Sequence, residues 1–118
     1  MAAAYEKRQT LRIQPFVAPC RYVVADRRHP GFLTDLSERG GRIYTEAAPP
    51  AAGTALTVEV RLGRQAVPVR IPAIVRWTRP APRGGSMFGV SYDGIGPDER
   101  KLIEGVVEEF RRRAASIE

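Results

Sequence analysis

Two arginines four residues apart, Arg8 and Arg12, and a group of small polar residues further on, Asp35, Ser37, Gly40 and Gly41, are the positions of this chain whose types and spacing could do chemistry. Each guanidinium is a fixed fork of donors that clamps a phosphate or meets the O6 and N7 acceptors of a guanine edge in bidentate fashion. A carboxylate such as Asp35 accepts from the N1 and N2 donors on the other guanine edge, and Ser37 adds a small hydroxyl that donates or accepts. Gly40 and Gly41 permit positive φ and let backbone approach a ligand with no Cβ in the way. Together they describe a surface for a purine phosphate, without a nucleophile.

Other chemistries find little support. His29, the sole histidine, falls in Asp26-Arg-Arg-His-Pro-Gly31, which reads as a solvated turn, and it has no cysteine, histidine or carboxylate at ligand spacing. Ser37 lacks the flanking glycines of a nucleophile elbow. Cys20 is the only cysteine, which excludes an internal disulfide and a thiolate-built metal site within one chain, and it sits on an apolar register as a small core residue. The expectation is no catalytic residue, no metal and no cofactor.

Neither motif decides alone. Among 17 arginines, Arg79 and Arg83 repeat the first spacing, and the second motif also reads as a polar turn in which Asp35 and Ser37 bond nearby backbone and Gly40 turns left-handed. In combination, RxxxR at Arg8 and Arg12 followed across a strand hairpin by DxSxxG at Asp35, Ser37 and Gly40 resembles the signature of the PilZ domain family. The similarity continues through Val75-Arg76-Trp77, Phe88-Gly89-Val90 and a closing helix, so it covers nearly the whole chain. The resemblance implies a mainly β fold, a six-stranded antiparallel barrel with a C-terminal helix. It also implies binding of the bacterial second messenger cyclic di-GMP, with the arginines on phosphate and guanine edges and Asp35 and Ser37 on the guanine. In this family the residue before RxxxR, here Lys7, influences whether one ligand or a stacked pair is bound.

The elements that would position these residues alternate with period two. Phe16–Val24, Phe32–Thr34, Arg42–Thr45, Ala55–Leu62, Val67–Thr78 and Met87–Tyr92 read as six strands, the fourth most clearly, with Leu56, Val58, Val60 and Leu62 against Thr57, Glu59 and Arg61. Gly63-Arg64-Gln65 is a tight hairpin. Pro68 and Pro72 call for an edge or a bulge in the fifth strand. Trp77 continues that strand's apolar register into the core, although its ring could stack on a base. From Pro97 to about Ile117 the period becomes helical, with Leu102, Ile103, Val106, Val107 and Phe110 on one face to cover the barrel. Residues 1–14 show no strong periodicity and read as a flexible arm carrying RxxxR, followed by a single domain over 15–118.

A length of 118 residues suits one domain with a modest core. A net charge of +6, with a pI near 10.2, points to an anionic partner, and the charge is uneven, +7 over residues 1–96 against −1 over 97–118. No stretch reaches signal-peptide or membrane-span length, so the expected setting is the cytoplasm, bacterial by resemblance, with no membrane insertion. Nucleic acid is not an expected partner, because Tyr22, Phe88 and Tyr92 fall on inward registers instead of interleaving with arginine outside. The reading is therefore a cyclic di-GMP receptor that signals to an effector protein through ordering of its arm. A PilZ-like adaptor that does not bind nucleotide is the alternative, and a homodimer is compatible with either.

Overall fold

The computed structural model describes residues 18–61 and 68–117. The arm with Lys7, Arg8 and Arg12, the start of the first strand at Phe16 and the Gly63-Arg64-Gln65 hairpin lie outside the described residues. The elements run β1 Ala18–Val24, β2 Arg27–Leu36, β3 Gly40–Thr45, β4 Ala55–Val60, β5 Val69–Pro80, β6 Ser86–Tyr92 and α1 Pro97–Ile117. The strands close in the order β1-β2-β3-β6-β5-β4, every pairing antiparallel, as the resemblance implied.

Alternation sets the interior. Ala18, Cys20 and Tyr22 of β1, Leu56, Val58 and Val60 of β4, Ile71, Ala73 and Val75 of β5, and Phe88 and Val90 of β6 are all buried. Each large side chain among them gains about 1.5–3 kcal/mol by leaving water. The Tyr22 hydroxyl donates to Thr45 Oγ1 at 2.9 Å, so the core's phenol is paired. Burial pushes the Cys20 thiol up to about 12, which leaves it protonated and inert.

Two sequence expectations need correction. The Asp26–Gly31 turn shrinks to Ala25 and Asp26, both at positive φ, because Val24 pairs directly with Arg27. A two-residue loop with two left-handed residues matches strand twist, and pairing with β1 overrides the turn-like composition beyond it. His29 accordingly lies in β2, half-buried, stacked on Tyr22 with centroids 5.1 Å apart. The fifth strand does carry a bulge, between Val75 and Trp77, as expected from its prolines, although Pro72 itself lies short of it. The Pro72 carbonyl accepts from Asp93 just past the end of β6, and the N of a strand residue faces the same side as its carbonyl, so no ladder bond is lost.

The helix begins at a capped end: Gly96 N donates to Glu99 Oε1 at 2.7 Å, half of a capping box. Ile103, Val106, Val107 and Phe110 join the barrel core, whereas Leu102, expected on the same face, is 55% exposed. It falls one residue outside the narrower stripe that the barrel covers.

Glu59 of β4 has an outward register yet is only 6% exposed, because Arg28 and Arg70 close over it with ion-pair distances of 3.1 and 2.6 Å. The hydrogen bond from Arg28, joined by that from Arg70, holds its carboxyl below the ordinary 4.5 despite desolvation. A depressed folded value stabilises the fold above the unfolded value and loses that contribution as pH falls through the folded one. Wild type should therefore lose stability below pH 4.5 more steeply than Glu59→Gln, as read from urea midpoints at pH 7 and in the acid range.

Candidate functional site

The DxSxxG residues form the β2–β3 turn and its approaches. A bulge in β2 between Leu33 and Asp35 breaks the alternation, so that Asp35 pairs with Arg42 instead of following Leu33 inward. The extra residue, Thr34, re-aims Asp35 onto the outer face. Arg42 is tethered beside it, its Nε donating to Thr34 Oγ1 at 3.2 Å. The Asp35 carboxylate is exposed and makes no hydrogen bond or ion pair among the described residues, which leaves all its acceptor capacity open.

Ser37 is placed differently. Its hydroxyl donates to Gly40 O at 3.3 Å and accepts from Arg39 N at 3.2 Å and Gly40 N at 3.4 Å, so it organises the turn. Tyr92 of β6 pins the same turn from below, its hydroxyl donating to Ser37 O at 2.5 Å and its backbone N to Arg39 O at 3.0 Å. Burial, then the nearby Glu38 and Asp35 carboxylates, push the Tyr92 phenol well above its ordinary range, so it remains a donor.

Gly40 is not left-handed, contrary to one sequence reading; among the described residues the positive-φ glycines are Gly53, Gly84, Gly85 and Gly94. Gly40 is required for space: a Cβ there would sit 2.0 Å from Val90 O, inside the β3–β6 ladder. Gly41 is tight in the same way, 3.0 Å from Asp35 O.

Trp77 corrects the core expectation. A second bulge, between Val75 and Trp77, shifts β5 so that Trp77 pairs with Gly89 on the outer face. It is 36% exposed, its indole lies on Gly89 so closely that a Cβ there would come within 2.3 Å of Nε1, and Arg79 holds its guanidinium 4.8 Å from the ring centroid. The result is a shallow hollow of about 300 Å³ in which Asp35, Ser37, Gly40, Gly41, Arg42 and Trp77 converge. Lys7, Arg8 and Arg12 lie outside the described residues. Sequence reasoning missed Arg42 and Tyr92; the glycine opposite an aromatic, Gly89 to Trp77, was the available signal for an outward ring.

A small closed barrel carrying a lid helix and a polar hollow at one hairpin turn defines the class of the molecule. The PilZ domain model matches residues 6–109, and the chain belongs to the PilZ domain family. Among solved structures it is similar to the PilZ domain with c-di-GMP of YcgR from Escherichia coli, at 19% identity and a TM-score of 0.65, over 84% of this chain and 85% of that one. The inhibitor of motility MotI/DgrA from Bacillus subtilis matches at 17% identity and a TM-score of 0.60, over 91% of this chain and 53% of that one. MrkH of K. pneumonia in its apo state matches at 14% identity and a TM-score of 0.63, over 100% of this chain and 56% of that one. The chain thus spans about half the length of the last two. No curated protein sequence matches it. No helix among the described residues is long and apolar enough to cross a membrane.

Proposed function

We propose that the chain is a cyclic di-GMP receptor that passes messenger level to a protein partner. Residues 1–14 act as an arm bringing Arg8 and Arg12 over the hollow, where they clamp phosphate and guanine edges while Asp35 accepts from a guanine. Ordering the arm costs about 1–2 kcal/mol per residue fixed, which charge-assisted contacts must offset. The observation that carries this reading is the convergence, in one hollow of the barrel, of a carboxylate unpaired among the described residues with an outward indole. A guanine face can stack on the indole beside Arg79, a contact worth about 1–3 kcal/mol.

One observation favours the adaptor alternative: Ser37 and Gly40 serve the fold by themselves, so their presence does not require a ligand. Calorimetry of the purified chain separates the two. The receptor reading expects cyclic di-GMP to bind at micromolar affinity or better, roughly 8 kcal/mol, with GTP and short single-stranded DNA not binding. Absence of a cyclic di-GMP isotherm favours the adaptor. Stoichiometry from the same titration tests the role of Lys7: two ligands per chain support the stacked pair, and one removes it.

A further inference from the structure

A second concavity, of about 690 Å³, lies on the outer face where β1 and β4 meet the neighbouring parts of β2 and β5, and it shares no lining residue with the Asp35 hollow. Strand pairing arranges it in rows. Arg21 stands opposite Glu59, which stands opposite Arg70, and Arg28 reaches Glu59 from β2. Arg61 follows two residues beyond Glu59. Four arginines less one glutamate leave this face at +3.

The arginines are of two kinds. Arg28 and Arg70 are oriented by the Glu59 carboxylate between them, whereas the exposed Arg21 and Arg61 have no ion pair among the described residues. Pro19, Pro30 and Pro68 add a stiff apolar rim beside Phe32, which is 39% exposed. Open guanidinium forks beside an apolar rim suit carboxylates separated by apolar side chains. A phosphate polymer fits less well, since Glu59 places a carboxylate at the centre of the face and among the described residues a single aromatic ring, Phe32, lines it. Closure of the barrel leaves no strand edge between β1 and β4 to be extended, so recognition here runs through side chains.

We propose that this face docks an acidic segment of a protein partner, its carboxylates on Arg21 and Arg61 and its apolar side chains against the proline rim. The proposal rests on the reading that the chain signals to a protein, but its residues are separate from the nucleotide hollow. The test is fluorescence anisotropy of the full chain with a labelled peptide of alternating glutamate and leucine, beside an oligothymidine of equal length and a cyclic di-GMP titration.

The peptide should bind saturably and more weakly as salt rises. Arg21→Glu with Arg61→Glu should weaken it at least tenfold while leaving cyclic di-GMP binding and the melting temperature unchanged. Should the glutamate pair lower the melting temperature, Arg21→Gln with Arg61→Gln is read in its place, with at least a threefold loss. Peptide binding without cyclic di-GMP binding removes the receptor reading and leaves this face a docking site. Unaltered peptide affinity in folded variants overturns the proposal, as does oligothymidine binding more tightly than the peptide and lost in the same variants.

Discussion

Gly40→Ala should destabilise the domain by about 3 kcal/mol or more, the upper end of what forced overpacking costs. The added Cβ would lie 2.0 Å from the Val90 carbonyl oxygen and 3.0 Å from Ser91 Cα, and both atoms are backbone, so no rotamer change relieves the clash. The chain must open the β3–β6 ladder at Gly40 and Ser91, beside the turn that Tyr92 pins. Against a typical total of 5–15 kcal/mol, such a loss is large, and at roughly 4 °C per kcal/mol the melting temperature should fall by about 12 °C or more. Gly105→Ala is the contrasting control. Gly105 is exposed in the interior of α1 and a Cβ there meets nothing within 4 Å, so alanine should stabilise by about 0.5–1 kcal/mol. Thermal melts of the three proteins check both signs.

Asp35→Ala and Arg8→Ala should each reduce cyclic di-GMP affinity by at least tenfold, and Asp35→Ala should do so with no loss of stability. Asp35 is exposed and has no internal partner among the described residues, so removing its carboxylate leaves no donor unsatisfied in the fold. Its loss deprives a guanine of a charged acceptor, a hydrogen bond worth about 1.5–3 kcal/mol, or roughly 10–150-fold in affinity. Ser37→Ala should behave in the opposite manner, lowering stability as the turn loses its hydroxyl contacts to Arg39 and Gly40. Calorimetry beside denaturant unfolding separates ligand contact from turn maintenance within one motif.

Strand count, strand order of burial and the helix were legible because period-two and period-3.6 patterns are written directly by burial. Leu56, Val58 and Val60 point inward as their alternation says, and so do Ile103, Val106, Val107 and Phe110. Period alone fails at the two bulges, and at the second it misplaced Trp77. Strict alternation from Leu33 would turn Asp35 inward, and from Val75 it would turn Trp77 inward; one extra residue in each strand, Thr34 and Arg76, reverses both. A bulge adds a residue that period alone cannot register. Both bulges deliver a side chain to the same hollow, which is where local pattern and function diverge. His29 was misplaced for a different reason: cross-strand pairing with Tyr22 outweighs the turn-like Arg-Arg-His-Pro-Gly composition around it.

Trp77 is the only tryptophan in the chain, so its emission reports on the candidate hollow without a label. The account predicts that titrating cyclic di-GMP into wild type changes Trp77 fluorescence saturably, at the same midpoint as calorimetry, and that Arg8→Ala abolishes the change. Emission that stays constant while cyclic di-GMP binds, or that changes equally in Arg8→Ala, would contradict a shared site for the arm, Asp35 and the indole.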